Sequence, residues 1–394
     1  MDPIIILGIG LALLFNFSNG LNDAANSIAT IIATKAMTPL QAVALAGVFN
    51  LLGPLLFTTA IAKTIGKGIV DPGFLTPSLI LAGLVGSVLW VLATSYLGIP
   101  VSSSHALIGG LLGAGIAFAG FEAILWPPLA LVGQVVAYGA VGALVGAIVA
   151  GAIAAWKGEF GIGYLGLGAL IGLTIAIPLL IATGILEISG ILAVVLFIVI
   201  SPMLGLITAF AFGIIVVRSL REKSPRRLSG IFRNLQIFSG SFQAIGHGSN
   251  DAQNAMGIIT AMLVAGGLLS DFNVPLWVIL ASSLAISLGT LLGGWRVIDK
   301  MANRITKIRP YQGFCASTAA GGVLSLMTAF GVPVSTTHAT TGAIMGVGAT
   351  RGYSAVKWGV VREILIAWVL TIPAAAIVAG LCYFAAQGFL AAIS

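Results

Sequence analysis

The sequence predicts an all-α polytopic membrane protein built from inverted repeats, with about eight full spans and two re-entrant helical hairpins, about 12 membrane segments in all. Three observations predict it. Of 394 residues, 59% are hydrophobic and only 7% are charged, a composition no soluble domain of this size could carry on its surface. The apolar runs are long and continuous, without the strand alternation and turns of a membrane β-barrel. Two polar motifs recur inside those runs. Gly20-Leu21-Asn22-Asp23-Ala24-Ala25-Asn26 returns 228 positions later as Gly248-Ser249-Asn250-Asp251-Ala252-Gln253-Asn254, and Pro100-Val101-Ser102-Ser103-Ser104-His105 returns at an offset of 233 as Pro333-Val334-Ser335-Thr336-Thr337-His338.

Residues 1–157 form a first repeat, with spans near 3–35 and 39–62, a hairpin over 78–118 and a span near 128–155. The hairpin arms, 78–97 and 102–118, meet at Gly98-Ile99-Pro100-Val101-Ser102; the second is short against the roughly 20 apolar residues a crossing needs. Two linking spans near 162–185 and 189–217 fill 158–217, and a polar, basic link occupies 218–233. The second repeat, 234–394, has spans near 235–265 and 275–297, a hairpin over 310–350 and a span near 358–390. Its hairpin arms, 310–330 and 335–350, meet at Gly331-Val332-Pro333-Val334-Ser335. The spans at 3–35 and 235–265 are long enough to break in the middle, where the Asn-Asp motifs sit, and both hairpin tips are expected at the bilayer midplane.

The net charge of +7 reads as cytoplasmic loops obeying the positive-inside rule, with no nucleic-acid partner. With both termini outside, the inside loops collect Lys35, Lys157, Arg218, Arg221, Lys223, Arg226, Arg227, Arg233, Arg296, Lys300, Arg304, Lys307, Arg309, Arg351, Lys357 and Arg362. That is 16 of the 18 basic residues, leaving Lys63 and Lys67 outside. The first repeat and the linking spans make an odd number of crossings, so the second repeat enters from the opposite face, as in transporters that work by alternating access. The start of the chain lacks the basic region of a signal peptide and reads as a retained first span of a multi-pass protein of the cell (inner) membrane. Cys315 and Cys382 lack metal-ligand spacing and read as packing residues.

Of eleven acidic residues, only Asp23 and Asp251 fall at membrane depth, at equivalent places in the two repeats. An isolated charge there costs at least about 3 kcal/mol, and no Lys or Arg lies at that depth, so the simplest partner is a bound cation, Na⁺ or H⁺. Asn22, Asn26, Asn250 and Asn254 add hard amide oxygens suited to Na⁺. Asp and the second Asn of each motif share a helical face, whereas Asn22 needs an unwound backbone, which Gly20 and Gly248 would permit. Asn-Asp at a helix break can simply cap a half-helix N-terminus, but two copies at inverted-repeat positions favour a cation site.

The tips offer opposite chemistry. Ser102, Ser103 and Ser104, and likewise Ser335, Thr336 and Thr337, would sit in the first turn of a helix, where backbone N–H groups and hydroxyls bind an anion without a formal positive charge. Two such N-termini facing each other would cradle a tetrahedral oxyanion, the cations at Asp23 and Asp251 supplying the positive charge; ordinary N-capping is the plainer alternative. His105 and His338 follow the tips, placed either to meet substrate or coupling protons or to be structural. His247 has Asn19 as its counterpart, which argues for polar packing. Gly109, Gly113, Gly342 and Gly346 form small-xxx-small pairs suited to close helix packing.

At these residues the chain resembles the inorganic phosphate transporter family, often called PiT, over nearly its whole length. The twin Gly-x-Asn-Asp-x-x-Asn signature stands at 20–26 and 248–254, and the Pro-Val-Ser-(Ser/Thr)-(Ser/Thr)-His elements match. The resemblance implies import of inorganic phosphate with Na⁺ or protons, the latter sometimes with phosphate as a metal complex, and places Asp23, Asn26, Asp251 and Asn254 in the cation and phosphate site. It implies a homodimer in the lipid bilayer. The link at 218–233 is far shorter than the cytoplasmic loop of animal members. The expectation is therefore a sodium-coupled phosphate symporter without a cofactor, with phosphate on Ser102, Ser103, Ser104, Ser335, Thr336, Thr337, Asn26 and Asn254. Proton coupling, sulfate as substrate and an anion channel stay open as alternatives. An enzyme is not expected, because no nucleophile–base–orienter set is recognisable.

Overall fold

The computed structural model describes residues 2–188 and 190–393, side chains excepted at 225–227 and 389–393. The chain ends at Met1 and Ser394, and the side chains of Arg226 and Arg227 assigned to the basic link, lie outside it. The described chain is helical, and its β-type pairing is one isolated bridge between Val70 and Ile124.

Helix α1, Pro3–Ala33, begins under an Asp2 cap with proline at its first position, the residue that tolerates a missing N–H there. It runs unbroken through Asn22 and Asp23, as α9, Pro225–Ala265, does through Asn250 and Asp251. The expected breaks at the Asn-Asp motifs are therefore absent, and the motif glycines have another job. A Cβ on Gly20 would lie 2.0 Å from the Ile286 carbonyl oxygen, and one on Gly248 would lie 2.3 Å from that of Asn50. Each glycine lets a neighbouring helix cross at backbone contact, which keeps both motif helices straight.

The breaks fall one element later in each half. Helix α2 (Pro39–Leu52) tightens into a 3-10 turn at Gly53–Leu55, and the pair then bends by 83° into α3 (Ala60–Lys67). The corresponding pair in the other half, α10 (Leu276–Leu292) and α11 (Trp295–Asp299), bends by 66°. Between these pairs the chain forms the first hairpin from α4 (Pro77–Leu97) and α5 (Ser103–Ala119), then α6 (Leu129–Trp156), α7 (Ile162–Ala182) and α8 (Gly190–Ser219). Beyond α9 come α10 (Leu276–Leu292), α11 (Trp295–Asp299) with a π-turn at Lys300–Arg304, and the second hairpin of α12 (Pro310–Ala329) and α13 (Thr336–Ala349). Helix α14, Trp358–Ile393, closes the order. Both hairpins turn on a left-handed glycine, Gly98 at φ 68° and Gly331 at φ 69°.

Glycines also decide what covers the hairpins. Cβ atoms on Gly109 and Gly113 would lie 2.5 and 1.9 Å from the Ile372 and Ala376 carbonyl oxygens, so α14 lies on α5. On Gly342 and Gly346 they would lie 2.1 and 2.3 Å from the Pro202 and Leu206 carbonyl oxygens, so α8 lies on α13. The two covering helices each carry an interior proline, Pro202 and Pro373. Packing thus matches α14 with α8, whereas the order of spans in the sequence pairs 358–390 with 128–155. Helix α6 packs chiefly on α7 through Gly142, Gly146, Gly168 and Gly172 and is otherwise exposed.

Among the described residues seven helices are long and apolar enough to cross a membrane, or nine with each bent pair counted once, which makes this a multi-pass membrane protein. Helix α9 is not among them, because one of its faces is a buried polar stripe that includes Gln236, Gln243, His247, Asn250, Asp251 and Asn254.

Candidate functional site

The site lies where α1 and α9 pack together and meet the two hairpin tips. Asp23 and Asp251 are each 1% exposed. The Thr336 hydroxyl sits between them, 3.2 Å from Asp23 Oδ2 and 3.1 Å from Asp251 Oδ2, with one hydrogen to give. Thr337 Oγ1 is 3.2 Å from Asp23 Oδ1 and 3.1 Å from the Val101 carbonyl at the opposite tip. Two carboxylates at this spacing, out of water and without a Lys or Arg, repel each other strongly unless a cation joins them.

His247 stands beside both. Its Nε2 is 3.4 Å from Asp251 Oδ2 and 3.9 Å from Asp23 Oδ2. The hydrogen-bond network assigns its tautomer. Thr290 donates to the Ile286 carbonyl at 2.9 Å, so it accepts from Asn50 Nδ2, also at 2.9 Å. Asn50 then presents Oδ1 to His247 Nδ1 at 3.1 Å, making Nδ1 a donor. In the neutral ring Nε2 is a lone pair facing carboxylate oxygens, so either a proton or a metal cation must lie between them. Asp23, His247 and Asp251 offer three ligand atoms within 4.8 Å of one another, close enough to hold one ion.

The amides tell the same story. Asn22 Nδ2 donates to Ser95 Oγ at 2.8 Å, and Ser95 itself donates to Val91 O. Asn250 Nδ2 donates to Val334 O at 2.7 Å and to Asp251 Oδ1 at 2.8 Å. Asn26 Nδ2 donates to Thr336 and Thr337, whose hydrogens go to carboxylates or a carbonyl, and Gln243 Nε2 donates to Asn26 O at 2.7 Å. These acceptors fix each amide's orientation, leaving Asn22 Oδ1, Asn26 Oδ1, Asn250 Oδ1 and Gln243 Oε1 buried with no hydrogen-bond partner among the described residues. An unpaired buried acceptor costs about 1–3 kcal/mol, and three of these four stand in the same seven-residue motifs as the two carboxylates, oxygen lone pairs of the kind a hard cation would satisfy.

The tips divide their labour unequally. Ser102 and Ser335 are N-caps, accepting from the His105 and His338 amides at 3.3 Å, so the plainer of the two sequence readings holds for them. Thr336 and Thr337, expected to face an anion, instead turn to the carboxylates. On the first hairpin, Ser104 accepts from Asn254 Nδ2 at 2.8 Å and keeps its own hydrogen free, while Ser103 Oγ is buried without a partner. The halves are thus interlocked: Asn26 of the first holds Thr337 of the second, and Asn254 of the second holds Ser104 of the first. His105 and His338 meet each other, ring centroids 4.9 Å apart, and His338 stacks on Trp368 at 3.7 Å. Trp368 Nε1 in turn donates to Pro100 O, so these rings tie the tips to α14.

Of the expected residues, the structure brings together Asp23, Asn26, Asn250, Asp251, Thr336 and Thr337, joins Ser104 to Asn254, and turns the Asn22 amide nitrogen toward α4. The sequence reading missed His247, Asn50 and Gln243. The signal was present: Gln243, His247 and Asp251 recur at four-residue steps on one face of α9, and Asn50 is a lone amide inside an apolar run.

A family model described as "Phosphate transporter family" matches residues 19–162 and 166–379, most of the chain and both copies of each motif. The chain belongs to the phosphate transporter family. It is a transporter and not an enzyme. It is similar to a probable low-affinity inorganic phosphate transporter of Rhizobium meliloti, 42% identical over 98% of this chain and 97% of that one. A Bacillus subtilis protein of the same description is 35% identical over 98% of each chain. Among solved structures, one titled "The sodium-dependent phosphate transporter" shares 27% identity and a TM-score of 0.69, covering 98% of this chain and 99% of its own. In this transporter the duplicated motifs and the buried site are therefore one and the same region.

Proposed function

We propose that this family member imports inorganic phosphate by symport with sodium ions across the cell (inner) membrane. The observation that carries the reading is the pair of buried carboxylates surrounded by orphaned amide oxygens, next to a hairpin N-terminus that still has hydroxyls to donate. Sodium takes Asp23, Asp251 and the free oxygens of Asn22, Asn26 and Asn250, with the Thr336 and Thr337 hydroxyls completing its shell. Phosphate takes Ser103, Ser104, Asn254 and the first-turn N–H groups of α5, held by the charge of the bound cations. The similar solved transporter, whose title calls it sodium-dependent, supports this choice of ion.

The two halves act as inverted repeats around this site. Each tip abuts the bend of the opposite half: a Cβ on Gly331 would be 2.9 Å from Ala60 Cβ, and one on Gly98 would be 3.0 Å from Arg296 Cβ. Arg296 also donates to the Tyr96 carbonyl at 2.5 Å and lies 4.4 Å above that ring. The bends α2–α3 and α10–α11 are the natural gates, the second on the cytoplasmic side by the charge distribution, and their alternate opening gives alternating access. Each net positive charge carried inward gains about 2.3 kcal/mol per 100 mV of membrane potential. The exposed α6–α7 pair is the surface through which the expected homodimer would form.

The test is labelled-phosphate uptake into proteoliposomes under a sodium gradient and, separately, a pH gradient, with sulfate as competitor. Uptake driven by sodium and indifferent to sulfate supports the reading. Uptake driven only by the pH gradient moves the coupling to protons, and the position of His247 is what favours that second reading. Flux without concentration under either gradient points to a channel.

A further inference from the structure

Away from the transport site, the foot of α8, the start of α9 and the start of α12 enclose a cavity of about 360 Å³. Its rim carries Arg221, Lys223 and Arg309, with Tyr311 beside them, and among the described residues no acidic side chain lines it. Glu222 is the nearest acid in sequence; it pairs with Arg221 at 3.5 Å, but both side chains are more than three-quarters exposed, so water screens the pair. Lys223 and Arg309 have no carboxylate partner among the described residues.

Below the rim the wall is apolar. Val217, Leu220, Leu228 and Phe232 line it, and Phe232 packs on Tyr311 and Phe314 with ring centroids at 6.3 and 5.6 Å. The wall continues down the outer face of α9, where Ile231 is 47%, Leu235 38% and Phe238 74% exposed. These positions recur at helical spacing, so they form one continuous stripe. A small soluble anion would satisfy the cations alone and make no use of the apolar wall that leads from them to the stripe. An amphiphile with an anionic head and acyl chains satisfies both.

We propose that this cavity binds the headgroup of an anionic phospholipid from the cytoplasmic leaflet, its acyl chains lying along the α9 stripe. The orientation follows from the basic residues, and a cluster of cations at the cytoplasmic end of membrane helices is where such headgroups are held. The ligand would clasp three elements at once: α8, which covers the second hairpin; α12, which is that hairpin's first arm; and α9, which carries Asp251. It therefore ties the second hairpin to its cover at the membrane surface.

The test is native mass spectrometry and thermal melting of the detergent-solubilised transporter with dioleoyl phosphatidylglycerol, dioleoyl phosphatidylcholine or glycerol 1-phosphate. The expected result is retention of phosphatidylglycerol and a rise in melting temperature that neither other probe reproduces. Arg221→Gln, Lys223→Gln and Arg309→Gln should each weaken retention about fivefold, the ratio corresponding to about 1 kcal/mol per basic residue at an anionic surface. Lys63→Gln with Lys67→Gln, at the other end of the bundle, should leave it unchanged. Should a combined variant fail to fold, the single substitutions decide the matter. Equal retention of phosphatidylcholine, an equal effect of glycerol 1-phosphate (a soluble-anion site), or retention unaffected by all three substitutions would overturn the proposal.

Discussion

Replacing Asp23 by Asn separates the two jobs a buried carboxylate can do. In the structure Asp23 accepts from Thr337 through Oδ1 and from Thr336 through Oδ2. Both hydroxyls have a second acceptor in place: the Val101 carbonyl at 3.1 Å for Thr337, and Asp251 Oδ2 at 3.1 Å for Thr336. Both hydroxyls therefore keep an acceptor, and with the new amide N–H turned to the threonine oxygens the fold should lose no more than the roughly 1 kcal/mol of an ordinary hydrogen bond. The proposed sodium site loses one full formal negative charge from its ligands. Two unit charges about 4 Å apart at an effective dielectric constant of about 20 attract by about 4 kcal/mol, which is about a thousandfold in affinity. Asp23→Asn should thus melt within a few degrees of the parent protein while its sodium half-saturation for phosphate uptake moves beyond the accessible range. Sodium-dependent uptake with an unchanged half-saturation would refute the reasoning. So would a melting loss as large as that of an emptied core position, since it would make Asp23 a structural group.

Three further outcomes are expected. His247→Gln should lower uptake at least about tenfold, because it removes the nitrogen that faces both carboxylates, and uptake at the parental rate across pH would show that His247 is only packing. Gly113→Ala should destabilise the protein by about 1–3 kcal/mol, since its Cβ would lie 1.9 Å from the Ala376 carbonyl, whereas Gly10→Ala, with open space around it, should be neutral or slightly stabilising in thermal melts. Arg296→Gln should release the first hairpin tip, read as faster labelling of a cysteine placed at Leu97 by a reagent supplied from the cytoplasmic side; an unchanged labelling rate would mean the contact does not hold the tip.

Much of the architecture was legible because membrane physics writes it in large letters. The hairpin arms fall within a residue or two of the expected limits, since Gly98 and Gly331 are punctuation no helix ignores. The position of the breaks was not legible at Gly20 and Gly248. A glycine inside a helix looks the same whether it relaxes its own backbone or admits another, and only the carbonyls of Ile286 and Asn50 tell which. Asp23 and Asp251 stood out because nothing else at that depth was charged. The place of His247 beside both carboxylates was not legible, because its partner Asn50 lies on a helix far away in sequence. The capping roles of Ser102 and Ser335 were foreseen as the plainer option; the turn of Thr336 and Thr337 toward the carboxylates depends on how closely α1 and α9 approach, which no motif encodes.

The crossed covering of the hairpins bears on how the chain assembles during synthesis. The second hairpin finds its cover, α8, already in the membrane when it emerges, because α8 precedes it in sequence. The first hairpin has no such companion: Ser104 waits for Asn254 of α9 and His105 for His338 of α13, and α5 is covered only when Ile372 and Ala376 of α14 arrive, after more than half of the chain has followed it. The face of α5 that meets α14 is thus the last of the two hairpin faces to be covered as the chain is made.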